Sequence, residues 1–211
     1  MTDTERKLAE ELLGIGAVLL RPDEPFTWAS GWKSPIYCDN RRILSSPELR
    51  EEVAGKLASL AVETCPDAEI VAGVATGAIA HGVLVAQKLG KPFVYVRPTP
   101  KDHGTKSRIE GILSAGSKVV VIEGLVSTGK SSLQAVRALR DAGAEVLGMV
   151  AIFTYAFPEA EAVFAREGVS LVTLSNYPAL VRSAIEGGWL SPEAEKTLVE
   201  WRENPSVWKQ E

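Results

Sequence analysis

The apolar residues of the chain follow two alternating patterns. Short runs of apolar, mostly β-branched residues are typical of strands buried on both faces of a sheet, and they occur at 70–72, 93–96, 119–122, 146–153 and 169–174. Between these runs, apolar residues recur at helical spacing over 78–89, 132–142 and 158–167. This alternation predicts an α/β fold with a doubly wound, mostly parallel sheet flanked by helices.

The segments before and after this core predict further elements. An amphipathic helix is expected from Thr4, and a second helix from the Ser46-Pro47-Glu48 start to about Cys65. Residues 21–46, which lie between these helices, are rich in proline and aromatic residues and show little helical period. Such an irregular segment is typical of a hairpin or hood over a site. A last helix is expected from the Ser191-Pro192-Glu193 start.

The length and composition are those of an ordinary globular protein. The 211 residues include 45% hydrophobic and 24% charged residues, and we find no repeat, low-complexity run or linker among them. We therefore expect one domain over 1–211. In it, a hood formed by about 1–46 and about 175–211 covers an α/β core of about 47–174.

The net charge argues against several kinds of partner. A value of -4 does not suit a nucleic-acid binder or a membrane-surface protein, so any anion site must be local. The N-terminus has acidic residues where a signal peptide needs a basic start, which makes the cytoplasm the expected location. Cys38 and Cys65 have no metal-ligand spacing, and we expect them to be reduced thiols.

The chain is organised around the stretch 118–132, which reads KVVVIEGLVSTGKSS. Its apolar start predicts a buried strand that ends at Glu123, and the small and hydroxyl residues that follow predict a loop. Ser131 or Ser132 is expected to cap the next helix. A strand, a loop and a helix in this order form a phosphate-binding arrangement, because backbone N–H groups and the positive end of the helix attract an anion.

Two motifs fit this stretch. Gly124-x-x-x-x-Gly129-Lys130-Ser131 satisfies the P-loop pattern of nucleotide-binding proteins. The alternative is the motif by which type I phosphoribosyltransferases bind phosphoribosyl pyrophosphate (PRPP). That motif has four apolar residues, two acidic residues, a short apolar and hydroxyl stretch, and then Thr-Gly with small residues. Here Glu123 supplies one acid, and Gly124 stands in place of the second.

Two further loops are candidates for ligand binding, since each follows a predicted strand and such loops meet at one edge of the sheet. The small residues of Gly73-Val74-Ala75-Thr76-Gly77 let backbone N–H groups approach an anion closely. The stretch 97–111, called here the cationic loop, reads RPTPKDHGTKSRIEG and has almost no apolar residue. Its charge and its glycines suit closure over a polyanion.

Together these motifs resemble those of the orotate phosphoribosyltransferase family. The family has a hood segment of the form S-G-x-K-S-P-x-Y, which is present here from Ser30 to Tyr37. Its mobile loop has the form R-x-x-x-K-x-H-G, which matches Arg97 to Gly104. The small-residue loop at 73–77 and the PRPP motif at 119–132 occur in the family's order.

The resemblance implies a reaction and a set of roles. PRPP and orotate would give orotidine 5′-monophosphate and pyrophosphate in pyrimidine (UMP) biosynthesis, with magnesium carried by PRPP and no direct protein ligand for the metal. The catalytic residues would be Lys101, Arg97 and His103. The PRPP-binding residues would be Glu123, Ser127, Thr128, Gly129, Lys130, Ser131, Thr76 and Gly77, and the orotate-binding residues would be Lys33, Ser34 and Tyr37. The family also implies a homodimer in which the 97–111 loop reaches the neighbouring subunit's site.

Departures from the family pattern leave two questions and two alternatives open. Gly124 removes one expected contact to the ribose or to a magnesium-bound water, and Thr154-Tyr155 stands where some members carry an Asp-Arg pair for orotate.

A P-loop ATPase or kinase is the first alternative function, although no predicted strand ends in the aspartate that would hold its magnesium. The second alternative is a non-catalytic PRPP-binding regulator, which only the missing acid favours.

Overall fold

The computed structural model describes residues 1–100 and 107–209. The described strands are β1 (Val18–Leu20), β2 (Phe26–Thr27), β3 (Lys33–Ser34), β4 (Ile36–Cys38), β5 (Ile70–Val74), β6 (Phe93–Val96), β7 (Ile109–Glu110), β8 (Lys118–Val126), β9 (Glu145–Thr154) and β10 (Leu171–Asn176). The helices are α1 (Asp3–Gly14), α2 (Pro47–Thr64), α3 (Ile79–Leu89), α4 (Lys130–Asp141), α5 (Pro158–Arg166), α6 (Tyr177–Glu186) and α7 (Ala194–Glu203), and a 3₁₀ turn covers Asn40–Ser45. Among the described helices, none has the length and apolarity that a membrane crossing needs.

Six strands form one sheet in the order β10-β9-β8-β5-β6-β7, and all neighbours are parallel except β6 and β7. The chain runs from β5 outward to β6, and later returns to place β8 on the other side of β5. This reversal creates a topological switch point between β5 and β8, where the loops at the carboxyl ends diverge and leave a crevice. The predicted doubly wound, mostly parallel sheet is therefore confirmed.

Alternate side chains of the central strands build a hydrophobic core on each face of the sheet. In β8, Val120 and Ile122 pack with residues of α1, α2, α3 and α6, whereas Val119 and Val121 pack with residues of α4 and α5. All four side chains are fully buried, and each contributes about 1.5–3 kcal/mol through the burial of apolar surface. A strand covered on both faces needs apolar residues at every position, which explains the unbroken run in the sequence.

Among the strands of the six-stranded sheet and the described helices, two elements are not predicted by the sequence pattern. α6 follows β10 without a loop, and the Asn176 side chain caps it by accepting a hydrogen bond from the N–H of Ala179 at 3.0 Å. Because strand and helix share this boundary, no polar linker marks the change between them. β7 has two residues, which is too short to show a strand period.

The hood consists of two short antiparallel strand pairs that are joined to the C-terminal helix. β1 pairs with β4, and β2 pairs with β3. Trp201 of α7 is fully buried and donates its Nε1–H to the carbonyl of Lys33 at 3.1 Å. The indole of Trp28 donates in the same way to the carbonyl of Ile36 at 3.1 Å. Residues from the two ends of the chain thus form one cover beside the central sheet.

Candidate active site

Two adjoining cavities lie between the hood and the carboxyl ends of β5 and β8. The first cavity, of about 230 Å³, is lined by Asp39, Asn40, Arg41, Gly77, Glu123 and Gly124. The second cavity, of about 260 Å³, is lined by Thr27, Trp28, Ala29, Tyr37, Ser127 and Tyr155. Cys38 and Leu125 line both cavities. The first is polar and the second aromatic, so together they suit a charged group that lies next to a flat ring.

Glu123 is buried in the wall of the first cavity. The sequence predicts that the strand ends here, but β8 continues to Val126 because its last residues still pair with β9, so the predicted boundary is wrong. The carboxylate accepts hydrogen bonds from the N–H of Gly124 at 2.8 Å and from the hydroxyl of Ser132 at 3.0 Å. Burial raises the pKa of Glu123 to about 7, although these hydrogen bonds oppose the shift.

The raised pKa of Glu123 predicts a pH-dependent contribution to stability. The folded protein keeps a proton on this carboxyl up to about pH 7, whereas the unfolded chain releases it near the ordinary value of 4.5. The folded state therefore binds more protons in this window, and its free energy of unfolding falls as the pH rises, by at most about 3 kcal/mol. We expect Glu123→Gln to lose less stability than the wild type between about pH 5 and about pH 8 in urea denaturation.

The control for this experiment is Glu159→Gln, which removes an exposed carboxyl from α5. This variant is expected to follow the pH dependence of the wild type. Equal pH dependence in Glu123→Gln and the wild type would contradict the protonation assigned to Glu123.

The loop after β8 presents backbone N–H groups at the same edge of the sheet. Gly129 is the N-cap of α4, and no side chain caps this helix. The expected cap by Ser131 or Ser132 is wrong, because the hydroxyl of Ser132 donates to Glu123 instead. Within the described part of the chain, the N–H groups of Thr128 to Ser131 have no hydrogen-bond acceptor. With the positive end of α4 behind them, these groups form a candidate anion site.

The structure explains why a glycine occupies position 129. Its φ is +80°, in the left-handed region that favours glycine, and a Cβ atom here would lie 2.7 Å from Cε2 of Phe164. Beside it, Ser127 lines the second cavity and Lys130 has an exposed side chain. Of the residues predicted to bind PRPP at 127–131, Ser127 therefore lines the second cavity, and the others follow it along the chain at the carboxyl end of β8.

The loop after β5 lies across the first cavity from the hood. Gly77 lines this cavity together with Glu123. The Ala75–Thr76 peptide bond is cis. In the described residues, the N–H groups of Thr76 and Gly77 have no hydrogen-bond acceptor, so they are available to a ligand. The structure thus places the two predicted phosphate loops on either side of the switch point.

The hood residues predicted to contact the base differ in their placement. Tyr37 lines the second cavity and remains 42% exposed. Lys33 donates from its Nζ to the hydroxyl of Thr27 at 3.0 Å, and Thr27 lines this cavity. Ser34 is fully buried, and its hydroxyl exchanges hydrogen bonds with the backbone of Ile36. Ser34 lines neither of these two cavities, and its observed contacts stabilise the hood.

The predicted catalytic residues belong to the cationic loop, and two of them, Lys101 and His103, lie outside the described residues. Arg97 follows β6, and its N–H donates to the carbonyl of Arg108 at 2.7 Å. Its guanidinium Nη1 lies 3.4 Å from Oε1 of Glu110. These contacts join the two ends of the loop beside β7, and Arg97 lines neither of the two cavities.

The sequence pattern does not predict Asp39, Asn40 and Arg41 as site residues, although all three line the first cavity. Asn40 is buried, and its Nδ2 donates to the carbonyl of Gly124 at 2.6 Å. Asp39 and Arg41 form an ion pair at 2.6 Å at the start of the 3₁₀ turn. The available signal is the D-N-R sequence just after the S-G-x-K-S-P-x-Y segment, but only the fold shows that it faces β8.

Comparisons with known proteins agree with one another. Residues 40–168 match the family described as "Phosphoribosyl transferase domain". The chain is 54% identical over 209 residues to the orotate phosphoribosyltransferase of Bacteroides fragilis, with 99% of each chain covered. The crystal structure of orotate phosphoribosyltransferase from Aeropyrum pernix is similar, with a TM-score of 0.75, 32% identity and coverage of 87% of this chain and 99% of that chain. The Mycobacterium tuberculosis H37Rv orotate phosphoribosyltransferase in complex with PRPP gives a TM-score of 0.65 at 27% identity, covering 84% of this chain and 98% of that chain.

Proposed function

The chain belongs to the phosphoribosyl transferase family and, within it, to the orotate phosphoribosyltransferases, and from this we propose how its own residues carry out the reaction. The enzyme transfers the phosphoribosyl group of PRPP to orotate, which gives orotidine 5′-monophosphate and pyrophosphate. We base the roles of individual residues on the two adjoining cavities at the switch point, one polar and one aromatic. The relatives give no support to a P-loop ATPase or to a non-catalytic regulator.

The reaction is tested by the loss of orotate absorbance after the purified protein is mixed with orotate, PRPP and magnesium. Uracil, adenine and hypoxanthine serve as parallel substrates. We expect turnover with orotate alone. Turnover of a purine instead would contradict the base assignment, and PRPP binding without turnover of any base would favour the regulator.

We assign the 5′-phosphate of PRPP to the loop after β8. The N–H groups of 128–131 and the hydroxyls of Ser127, Thr128 and Ser131 would donate to it, and Lys130 would add positive charge. Glu123 would accept hydrogen bonds from the ribose hydroxyls. Its two bonds to Gly124 and Ser132 fix the carboxyl and leave other lone pairs for a ligand.

We assign the pyrophosphate leaving group to Thr76 and Gly77, whose N–H groups have no acceptor among the described residues. As the bond to ribose C1 breaks, the pyrophosphate gains negative charge and the sugar gains positive charge. Lys101, with Arg97 and His103, would stabilise the charge that develops on the pyrophosphate. The cationic loop would also exclude water, which otherwise hydrolyses PRPP.

We assign the base, orotate, to the second cavity. Trp28, Tyr37 and Tyr155 supply flat apolar surface there, and Lys33 lies beside it through its bond to Thr27. Tyr155 is 2% exposed and packs in the aromatic core, so the Thr154-Tyr155 pair provides no cation for the orotate carboxylate.

We expect Tyr37→Ala to raise the KM for orotate more than the KM for PRPP, and the reverse result would contradict this placement.

Magnesium is proposed to enter the site with PRPP. The carboxyl groups of Glu123 and Asp39 line the first cavity, and their oxygens would accept hydrogen bonds from the waters of an ion that PRPP holds, with no direct protein ligand. When bound, the ion neutralises part of the charge of the pyrophosphate. Calorimetric titration of PRPP with and without a chelator tests this assignment, since equal affinity in both would contradict it.

Gly124 allows a direct test of the acid that is missing from the PRPP motif. A Cβ atom at this position would meet only Gly77, at 3.9 Å, so the cavity has room for a side chain. We expect Gly124→Asp to lower the KM for PRPP by about threefold to tenfold, because a carboxylate would accept a further hydrogen bond from the ribose or from a magnesium-bound water. Gly124→Asn has the same shape without the charge and serves as the control. Weaker PRPP binding in Gly124→Asp would show that this part of the site binds its ligand differently.

A homodimer is proposed as the working assembly, with the cationic loop of one subunit at the site of the other. Ile112 follows β7 at the edge of the sheet and is 88% exposed, so an apolar residue is available for a contact beside this loop. Sedimentation at several protein concentrations tests the assembly. A monomer at concentrations where the enzyme is active would contradict it.

The cytoplasm and UMP biosynthesis are proposed as the cellular setting. Both cysteines, Cys38 and Cys65, are free and buried in the structure, as is usual for a protein of a reducing compartment. The whole chain, 1–211, is proposed to act as one domain in this setting. Growth of a pyrimidine auxotroph that lacks its own orotate phosphoribosyltransferase tests the pathway, and cell fractionation tests the compartment.

A further inference from the structure

The charge of the two cavities is unevenly distributed. Among the described residues that line them, the acidic side chains are Asp39 and Glu123, and the one cation is Arg41, which lines the first cavity. Both substrates of the reaction are anions, and a pyrophosphate group carries several charges. A cation in the wall of the first cavity is therefore a candidate to bind one of these anions.

The guanidinium of Arg41 is held in one orientation. Its Nε donates to Oδ1 of Asp39 at 2.6 Å, its Nη2 donates to Oδ2 at 2.8 Å, and its backbone N–H donates to Oδ1 at 3.1 Å. These bonds hold the pKa of Asp39 below its usual range, so the partner stays charged at neutral pH.

The ion pair leaves one edge of the guanidinium available. Within the described residues, Nη1 of Arg41 has no hydrogen-bond acceptor, and the side chain is 62% exposed. The 3₁₀ turn that carries it is tied to β8 by the bond from Asn40 to the carbonyl of Gly124. A fork that is oriented by a carboxylate and fixed to the sheet is well prepared for a phosphate oxygen, because little side-chain entropy is left to lose on binding.

We propose that Arg41 binds the pyrophosphate group of PRPP, and that Asp39 acts as the positioning residue that orients it. This inference rests on the proposed function. Gly77 lines the same cavity, and its backbone N–H has no acceptor among the described residues, so two kinds of donor line this cavity. The 5′-phosphate has its own donors in the loop at 128–131, which does not line this cavity, and the aromatic second cavity does not include Arg41.

The test measures the binding of two fragments of PRPP to the full chain by calorimetry: pyrophosphate with magnesium, and ribose 5-phosphate. We expect Arg41→Gln to weaken pyrophosphate binding by about 10- to 100-fold, because a charge-assisted hydrogen bond is lost. Ribose 5-phosphate binding should change by less than about threefold. Arg41→Lys should fall between, since lysine keeps the charge but not the fork.

Arg42→Gln is the matched control, because Arg42 is the next residue in the turn and its guanidinium packs beside Gly16, outside both cavities. It should bind both fragments like the wild type. Asp39→Asn keeps the cap of the turn but loses the charge, and it should weaken pyrophosphate binding less than Arg41→Gln does.

Three results would overturn the proposal. These are unchanged pyrophosphate binding in Arg41→Gln, a loss of ribose 5-phosphate binding alone, and a rise in the KM for orotate with PRPP unaffected. The last result would assign Arg41 to the carboxylate of the base. Because fragment binding needs no turnover, failure of the proposal is distinguishable from failure of the wild type to convert orotate.

Discussion

Lys101→Ala is expected to lower kcat by about 100- to 1,000-fold and to change the KM for PRPP only a few-fold. Lysine would act on the negative charge that the pyrophosphate gains as the bond to ribose breaks. An interaction that strengthens only in the transition state lowers the barrier and leaves binding of the ground state nearly unchanged. Initial rates over a grid of PRPP and orotate concentrations measure both quantities.

Lys88→Ala is the control for the loss of one lysine. Lys88 lies at the C-terminal end of α3 and forms a surface ion pair with Glu51 of α2. Its removal should therefore change neither kcat nor KM. An unchanged kcat in Lys101→Ala would remove this residue from the mechanism. A rise in the KM for PRPP with unchanged kcat would make it a ground-state binding residue instead.

Mixed dimers extend this prediction to the assembly. Lys101→Ala supplies a defective loop and an intact cavity, and Ser131→Glu supplies an intact loop and a 5′-phosphate site closed by negative charge. If the loop acts on the neighbouring subunit, each mixed dimer contains one complete site. Random mixing of the two inactive variants should then restore about one quarter of the wild-type activity. No recovery on mixing would place each loop at its own subunit's site.

The sequence predicts most of the sheet because buried parallel strands are apolar at every position. Val119 to Ile122 form such a run, and the structure buries all of them. The ends of the elements are harder to predict, because they depend on contacts between distant residues. β8 continues past Glu123 since β9 pairs with it as far as Val126. Likewise Ser132 does not cap its helix, because the folded chain offers it the carboxylate of Glu123.

The candidate site is also predictable from the sequence only where its residues have a local signal. Thr76, Gly77 and the 127–131 loop are predictable, because glycine and hydroxyl residues after a strand have a local reason to bind phosphate. Asp39 and Arg41 have no such local signal, since a charged pair in a turn is ordinary surface chemistry. They become part of the site only because Asn40 binds the carbonyl of Gly124, 84 residues further along the chain.

Trp201→Ala is expected to lower the free energy of unfolding by about 3–5 kcal/mol, because it leaves a large cavity in the aromatic core. The indole is fully buried, and its ring packs against four others, with centroid distances of 5.2 to 5.7 Å to Tyr177, Phe157, Trp28 and Tyr155. Trp28 and Tyr155 also line the second cavity. The C-terminal helix therefore supports the wall against which we place the base. Urea denaturation measures the loss of stability.

Trp201→Phe tests whether α7 supports the wall of the second cavity in particular or only stabilises the whole protein. Phenylalanine keeps most of the packing but removes the Nε1–H, so the carbonyl of Lys33 loses its donor at a cost of about 1–2 kcal/mol. Because Lys33 belongs to the hood, we expect the KM for orotate to rise while the KM for PRPP stays near the wild-type value. Trp189→Phe is the matched control, since Trp189 is 55% exposed and packs outside the cavity. Equal changes in the two KM values of Trp201→Phe would show that α7 stabilises the whole protein and has no particular role in holding the base.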